Sequence, residues 1–270
     1  MHIDTSVADH WIRTGAPADS WVLAVAGGDD RSGRPARPEA PTPAARDRVV
    51  AAREAVLALV DPYLPARPDL WDAVLPGWPG ALEDSRVMLV VGWPAPFDAG
   101  VRTDPQGRAV IVLDVARLTA YPPQDATGAA QQLLDHELTH EVVRGRWPLP
   151  AGAGYTDRLD HVAFDEGLAH HLSLGTIAAV APDAPGRAER QAEALRTLAD
   201  ALVAVDESER AAFFDRADAA DGFWEKYACV AGMLAFGDAE HAAGAAGVRA
   251  LLDRGWHGFA ARAISEVDAT

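Results

Sequence analysis

Two histidines and a glutamate in one short run have the types and spacing needed to hold a metal ion and activate a water on it. The run is Leu133-Leu-Asp-His-Glu-Leu-Thr-His-Glu141, in which His136 and His140 are four residues apart. On a helix, such residues lie on one side, so both imidazoles would point at one spot. Glu137 lies one step round the helix, within reach of a bound water. The spacing predicts a helical metal site with a general base, and the alternative is a solvated helix without a metal.

The helix around this motif is predicted to span about residues 127–144 and to end at Gly145. Two apolar faces run along it: Ala130, Leu134, Leu138 and Val142 form the first, and Ala129, Leu133 and Val143 form the second. The histidines lie within the second face, where buried neutral imidazoles need partners and a shared metal supplies one. We expect only a strip near Gln132, Asp135 and Thr139 to meet water.

A catalytic zinc site usually has three protein ligands and one open position, so a third ligand is needed. The pattern HExxHxxGxxH is excluded, because its last histidine position is Arg146 and its glycine position is Val143. A second helical segment, residues 162–173, carries Glu166 and His170 on one face. Glu166 is the natural third ligand, and His170 in its place is the less favoured alternative.

Small residues on this second segment predict a close helix contact. Ala163, Gly167 and Ala169 keep one side of it narrow. We expect that side to approach the helix of the two histidines.

These two segments together resemble the gluzincins, zinc peptidases with HExxH on one helix and a glutamate ligand on the next. The run Glu166-Gly-Leu-Ala169 is similar to the E-G-[LF]-A element around that ligand in several of their families. The nearest likeness is to a bacterial family of predicted zinc-dependent proteases of unknown function, over about residues 126–174. The resemblance implies a zincin-like fold, Zn²⁺ as the cofactor held by His136, His140 and Glu166, and Glu137 as the general base.

The chain departs from many thermolysin-like gluzincins at His170, where they carry an aspartate that orients a zinc histidine. That role must pass to another group, and Asp165, Asp160 and a backbone carbonyl remain open. Hydrolysis of an amide passes through a tetrahedral intermediate with a negatively charged oxygen, which needs a hydrogen-bond donor. The resemblance points to Tyr227 as this donor. Tyr155, in the loop before the second helix, is a weaker choice. An ordinary core or surface tyrosine is the alternative reading of Tyr227.

The remaining sequence predicts an α+β, mainly helical chain forming one zincin-like domain over residues 1–270. Strand patterns at 86–93 and 108–114, with a turn at 104–107 and a short extended piece at 100–103, predict a small, mostly antiparallel sheet within 86–114, packed on the HExxH helix. Residues 26–46 read as a loop or flexible connector, and residues 184–265 as a helical C-terminal part.

Charge and composition exclude several classes of partner. The net charge is −16 and the pI is about 4.8, so we expect neither nucleic acid nor an anionic membrane as a partner. The lone Cys229 has an apolar setting typical of a packed core residue. No segment has the length of a bilayer span, and the start lacks the pattern of a signal peptide, so we expect a cytoplasmic protein. No pattern specifies an oligomeric state.

Taken together, these features favour a zinc-dependent metallopeptidase that hydrolyses amide bonds of a peptide or protein substrate. The alternative is a catalytically silent zincin-fold module that binds or regulates a partner. The intact Glu137 favours the enzyme, because a purely structural site has no need of it.

Overall fold

The computed structural model describes residues 1–25, 41–93, 98–120, 126–174, 181, 184–218 and 222–267. In this part of the chain the α-helices are α1 (Ser6–Thr14), α2 (Trp21–Val25), α3 (Arg46–Val60), α4 (Pro68–Val74), α5 (Trp78–Ala81), α6 (Ala126–Arg146), α7 (Tyr155–Leu174), α8 (Arg187–Val203), α9 (Glu207–Ala217), α10 (Tyr227–Ala243), α11 (Ala245–Arg254) and α12 (Phe259–Val267). The strands are β1 (His2–Asp4), β2 (Arg86–Val90), β3 (Ala99–Thr103) and β4 (Ala109–Asp114). The mainly helical α+β class is confirmed, and α8 to α12 lie in the predicted C-terminal part. Most of the predicted connector 26–46 lies outside the described residues.

The small sheet is mixed, so the prediction of a mostly antiparallel sheet is wrong. Its strand order is β1-β2-β4-β3; β1 pairs with β2 and β2 with β4 in parallel, and only β3 and β4 are antiparallel. The turn at 104–107 folds β3 onto the outer edge of β4, which leaves β2 beside β4 in the same direction. Asp104 fixes this turn by accepting hydrogen bonds from the main-chain N–H groups of Gln106 and Arg108, at 2.9 and 2.8 Å.

The contacts between Cα atoms divide the chain into two compact units. The first comprises Met1–Ala66 and Pro79–Glu137, and the second comprises Arg67–Trp78 and Leu138–Thr270. The division falls inside α6, which is one continuous helix. The single domain over 1–270 stays a prediction.

The core of the first unit lies against the sheet. β2 and β4 are buried on both faces, as strands with parallel neighbours usually are. One cluster of side chains joins them to the N-terminal helices; it consists of Val7, Val22, Leu23, Met88, Val90, Trp93, Val110 and Val112.

The second unit is built around the pair α7 and α10, which approach each other through glycines. A Cβ atom added to Gly232 of α10 would lie 1.8 Å from the carbonyl oxygen of Ala163, and one added to Gly167 would lie 2.6 Å from the carbonyl carbon of Gly232. The small residues Ala163 and Gly167 therefore face α10, whereas the sequence suggested that they would face the helix of the two histidines. Four aromatic rings of this unit pack against one another in edge-to-face and stacked arrangements: Trp147, Phe164, Phe236 and Phe259.

Helix α6 buries more of its surface than the sequence predicted. Its first apolar face is buried, as expected, but Asp135 and Thr139 are also fully buried, so the predicted water-facing strip is wrong at both positions. Asp135 accepts hydrogen bonds from the Tyr63 hydroxyl and from the N–H of Ala66, the latter at 3.0 Å. Burial raises the pKa of Asp135, although these hydrogen bonds act to lower it. Because the chain before α4 covers this face, a polar residue here meets protein and not solvent.

None of the described helices combines the length and the apolar composition that crossing a bilayer requires.

Candidate metal centre

Helix α6 places the two histidines of the motif one turn apart on one side. His140 and Glu137 are buried, with 4% and 7% of their surfaces exposed, and His136 is half-buried. This limited exposure fits a recessed site better than a solvated helix surface.

The predicted third ligand lies with the two histidines. Each of His136, His140 and Glu166 offers one ligand atom, and these atoms all lie within 4.8 Å of one another. The Nε2 atom of His140 is 3.4 Å from Oε1 of Glu166. That distance is too long for a good hydrogen bond. It equals the edge, about 3.4 Å, of a tetrahedron whose ligand atoms each lie about 2.1 Å from a zinc ion. The three residues predicted as metal ligands are therefore brought together at a spacing that suits coordination.

Asp165 orients His140 and answers the question left open by the sequence. Its Oδ1 lies 2.7 Å from Nδ1 of His140, so that Nδ1–H donates to the carboxylate and Nε2 keeps its lone pair for a metal. Burial alone would raise the pKa of Asp165, but the interaction with His140 outweighs it and lowers that pKa. The other acidic candidate, Asp160, accepts hydrogen bonds from the N–H groups of Gly258 and Ala260 at the start of α12, at 2.7 and 2.9 Å.

Glu137 has a cation in its neighbourhood. Burial lowers the pKa of Arg102 on β3, and the charge of Glu137 acts on it in the opposite direction. The Arg102 guanidinium stacks over the Trp93 ring, 4.8 Å from its centroid, and donates to the carbonyl of Val101 at 2.8 Å. An anchored positive charge thus stands near the carboxylate that the motif marks as a base.

A second group of ligand atoms shares Glu166. It adds His170 and Cys229, and the three ligand atoms again lie within 4.8 Å of one another. Burial lowers the pKa of His170 to about 4, which leaves its imidazole neutral at physiological pH. Burial also raises the pKa of the Cys229 thiol, which donates to the carbonyl of Ala217 at 3.4 Å.

The two tyrosines considered as oxyanion donors have other hydrogen-bond partners. The hydroxyl of Tyr227 donates to the carbonyl of Phe213 at 3.0 Å, and that of Tyr155 donates to the carbonyl of Ala201 at 3.1 Å. Tyr155 begins α7 and is not part of the preceding loop. The role of Tyr227 stays a prediction.

Two further histidines of α7 lie beside polar groups of the protein. His161 Nε2 lies 3.2 Å from the carbonyl oxygen of Trp147, and His171 Nε2 lies 3.0 Å from a carboxylate oxygen of Glu240.

Sequence reasoning missed two contributors to this region. Cys229 was expected only as a core residue, and its burial is confirmed, but its distance in sequence from Glu166 hid their proximity. Arg102 carries no motif at all, so only the fold reveals that it stands near Glu137.

No protein-family model, no curated protein and no solved structure matches this chain.

Proposed function

We propose that this protein is a zinc-dependent metallopeptidase with a zincin-like fold, which hydrolyses peptide bonds in a peptide or protein substrate. The observation that carries the proposal is the grouping of His136, His140 and Glu166, with Glu137 next to the first of them on α6. An accidental pair of histidines on a solvated helix would need neither a third ligand at this spacing nor burial.

The donor set fits zinc. Two imidazole nitrogens and one carboxylate oxygen are the ligands of many catalytic zinc sites, which keep a fourth position for water or substrate. Asp165 supports this assignment, because a carboxylate on the far nitrogen of a histidine fixes the ring and makes it a better ligand. A zinc ion held there would polarise the scissile carbonyl and make water acidic enough to attack at neutral pH.

Glu137 would accept a proton from the attacking water and later deliver it to the leaving nitrogen. Arg102 places a positive charge nearby, available to negative charge that develops during the reaction. Tyr227 would be the additional oxyanion donor implied by the resemblance, and to act so its hydroxyl would have to leave the carbonyl of Phe213.

The proposal is tested by measuring zinc content and peptide cleavage on the same preparations. We expect the parent protein to hold about one equivalent of zinc and to cleave members of a mixed peptide library. Glu137→Gln should retain the zinc and lose activity by about 10²–10⁴-fold, because it removes the base and not a ligand. Glu166→Ala should lose the zinc as well.

The matched control is Glu141→Gln, which makes the same chemical change one turn further along α6 and should leave cleavage and zinc unchanged. Stoichiometric zinc with no cleavage by the parent would overturn the peptidase assignment in favour of a binding or regulatory module. Absence of zinc from the parent would overturn the metal site itself.

A further inference from the structure

The two carboxylate oxygens of Glu166 face different histidines. Oε1 lies 3.4 Å from Nε2 of His140, and Oε2 lies 3.5 Å from Nδ1 of His170. Both distances match the spacing of two ligands on one small cation more closely than they match a hydrogen bond. One ion at His140 would therefore use only one of the two oxygens.

Glu166 also belongs to a second group of possible ligands, together with His170 and Cys229. Cys229 on α10 is fully buried, His170 is nearly so, and one ligand atom from each lies within 4.8 Å of Glu166. The close approach of α7 and α10 at Gly167 and Gly232 brings the cysteine to the helix that carries the glutamate. A thiolate, an imidazole and a carboxylate form a ligand set that favours borderline and soft divalent cations over magnesium or calcium.

We propose a second cation site formed by Cys229, His170 and Glu166, which takes a zinc-like divalent ion and uses Glu166 as a bridge to the first. This inference rests on the proposed function, in which Glu166 is a ligand of the first ion. Two-metal sites with a shared ligand hold their ions about 3.5–4 Å apart. A carboxylate whose two oxygens each approach a different histidine suits that arrangement.

Binding at this second site would require two local adjustments, one at His170 and one at Cys229. Nδ1 of His170 donates to the carbonyl of Glu166 at 2.8 Å and would have to release it. That carbonyl keeps the main-chain N–H of residue 170 as its helical partner, so the ring can turn or change tautomer without leaving it unpaired. The Cys229 thiol donates to the carbonyl of Ala217, and to act as a ligand it would have to lose this proton to solvent. The ring of Phe223, 5.1 Å from that of His170, covers the histidine.

The site is tested by titrating the full-length protein with cobalt(II), whose spectrum reports its ligands. Cys229 is the only cysteine in the chain, so any thiolate-to-cobalt charge-transfer band in the near ultraviolet must come from it. We expect about two equivalents to bind, and we expect this band to accompany one of them. The visible d–d bands should report both.

Two variants separate this inference from the proposed function. Cys229→Ser should lose the charge-transfer band and about one equivalent, while it retains the first site. His136→Asn should keep the band while the first site is weakened. Circular dichroism spectra that match the parent's would show that both variants are folded.

Binding of a single equivalent without the charge-transfer band would overturn the second site and leave the peptidase proposal intact. If the parent and His136→Asn each bound only one equivalent of cobalt, with the charge-transfer band, the proposal that Glu166 bridges two ions would be overturned. Absence of binding to the parent would overturn both proposals.

Discussion

At the scale of the residue, the important feature is that each ring nitrogen of His140 has a carboxylate beside it. Asp165 lies on Nδ1 and Glu166 lies near Nε2, at 2.7 and 3.4 Å. The contact with Asp165 fixes the tautomer of the His140 ring. The separation between Nε2 and the Glu166 carboxylate is one at which both atoms could bind the same cation. The ring is therefore oriented before any metal arrives.

We predict that Asp165→Asn raises the zinc dissociation constant about 10–100-fold, because loss of the negative charge weakens the orientation and basicity of His140. Competition with a chromophoric chelator measures this constant. The matched control is Asp160→Asn, which alters the start of α12 and should lower stability with little change in zinc affinity. Equal zinc affinity of Asp165→Asn and the parent would contradict the assigned role.

The sequence predicted which three residues lie together, but not which carboxylate contacts His140. His136, His140 and Glu166 follow from helical spacing and the resemblance, and the structure groups them. The choice between Asp165 and Asp160 depends on which face of α7 meets His140, and spacing within α7 alone does not contain that information.

At the scale of the element, the α7–α10 pair determines which side chains can surround Glu166. The two backbones approach so closely at Gly167 and Gly232 that neither position has room for a Cβ atom. Gly167, the glycine of the EGLA segment, is used in this contact with α10. A helix interior normally disfavours glycine, so the close packing offsets that cost.

We predict that Gly232→Ala lowers the free energy of unfolding by about 1–3 kcal/mol, because the new methyl group collides with the carbonyl of Ala163. Urea denaturation measures the loss. Gly237→Ala, on the same helix, is the control: its methyl group would meet only His171 Nδ1, at 3.9 Å, and should stabilise the helix by up to about 1 kcal/mol. Similar stabilities of the two variants would show that α7 and α10 do not pack this closely.

The helix of the HExxH motif could be predicted from periodicity, whereas strand pairing and burial could not. The bounds of α6 and β4 lie within a few residues of the predicted ones. β1 has only three residues, too few for a pattern, and it adds a second parallel pair to a sheet that is already mixed without it. The burial of Asp135 depends on Tyr63 and Ala66, which are far away in sequence and carry no motif.

At the scale of the whole molecule, net charge affects which partners we expect, and metal binding affects the stability that we expect. A net charge of −16 makes polyanions poor partners, and this exclusion stays a prediction from composition. The proposed ligands of the first site come from two helices, so we expect an unfolded chain to bind zinc weakly. Any ion that binds the folded chain alone must raise its stability.

We predict that free zinc at 100 times its dissociation constant raises the free energy of unfolding by about 2.7 kcal/mol over the chelated protein. Denaturation in zinc buffer and in chelator measures this difference, and Glu166→Ala should lose it. Magnesium is the control, since it prefers oxygen ligands and should give no shift. An equal gain in Glu166→Ala would place the stabilising zinc elsewhere.

The adjacency of Asp165 and Glu166 has a consequence for how this centre can change during evolution. One residue inserted into or deleted from α7 ahead of this dipeptide would rotate the remainder of the helix by about 100°. Both the carboxylate that contacts His140 and the proposed ligand Glu166 would then be displaced together. Point substitutions remove one of the two and leave the other. Relatives that lose the proposed metal site by point substitution should therefore keep either Asp165 or Glu166. Relatives with an insertion or deletion in this helix should lose both contacts at once.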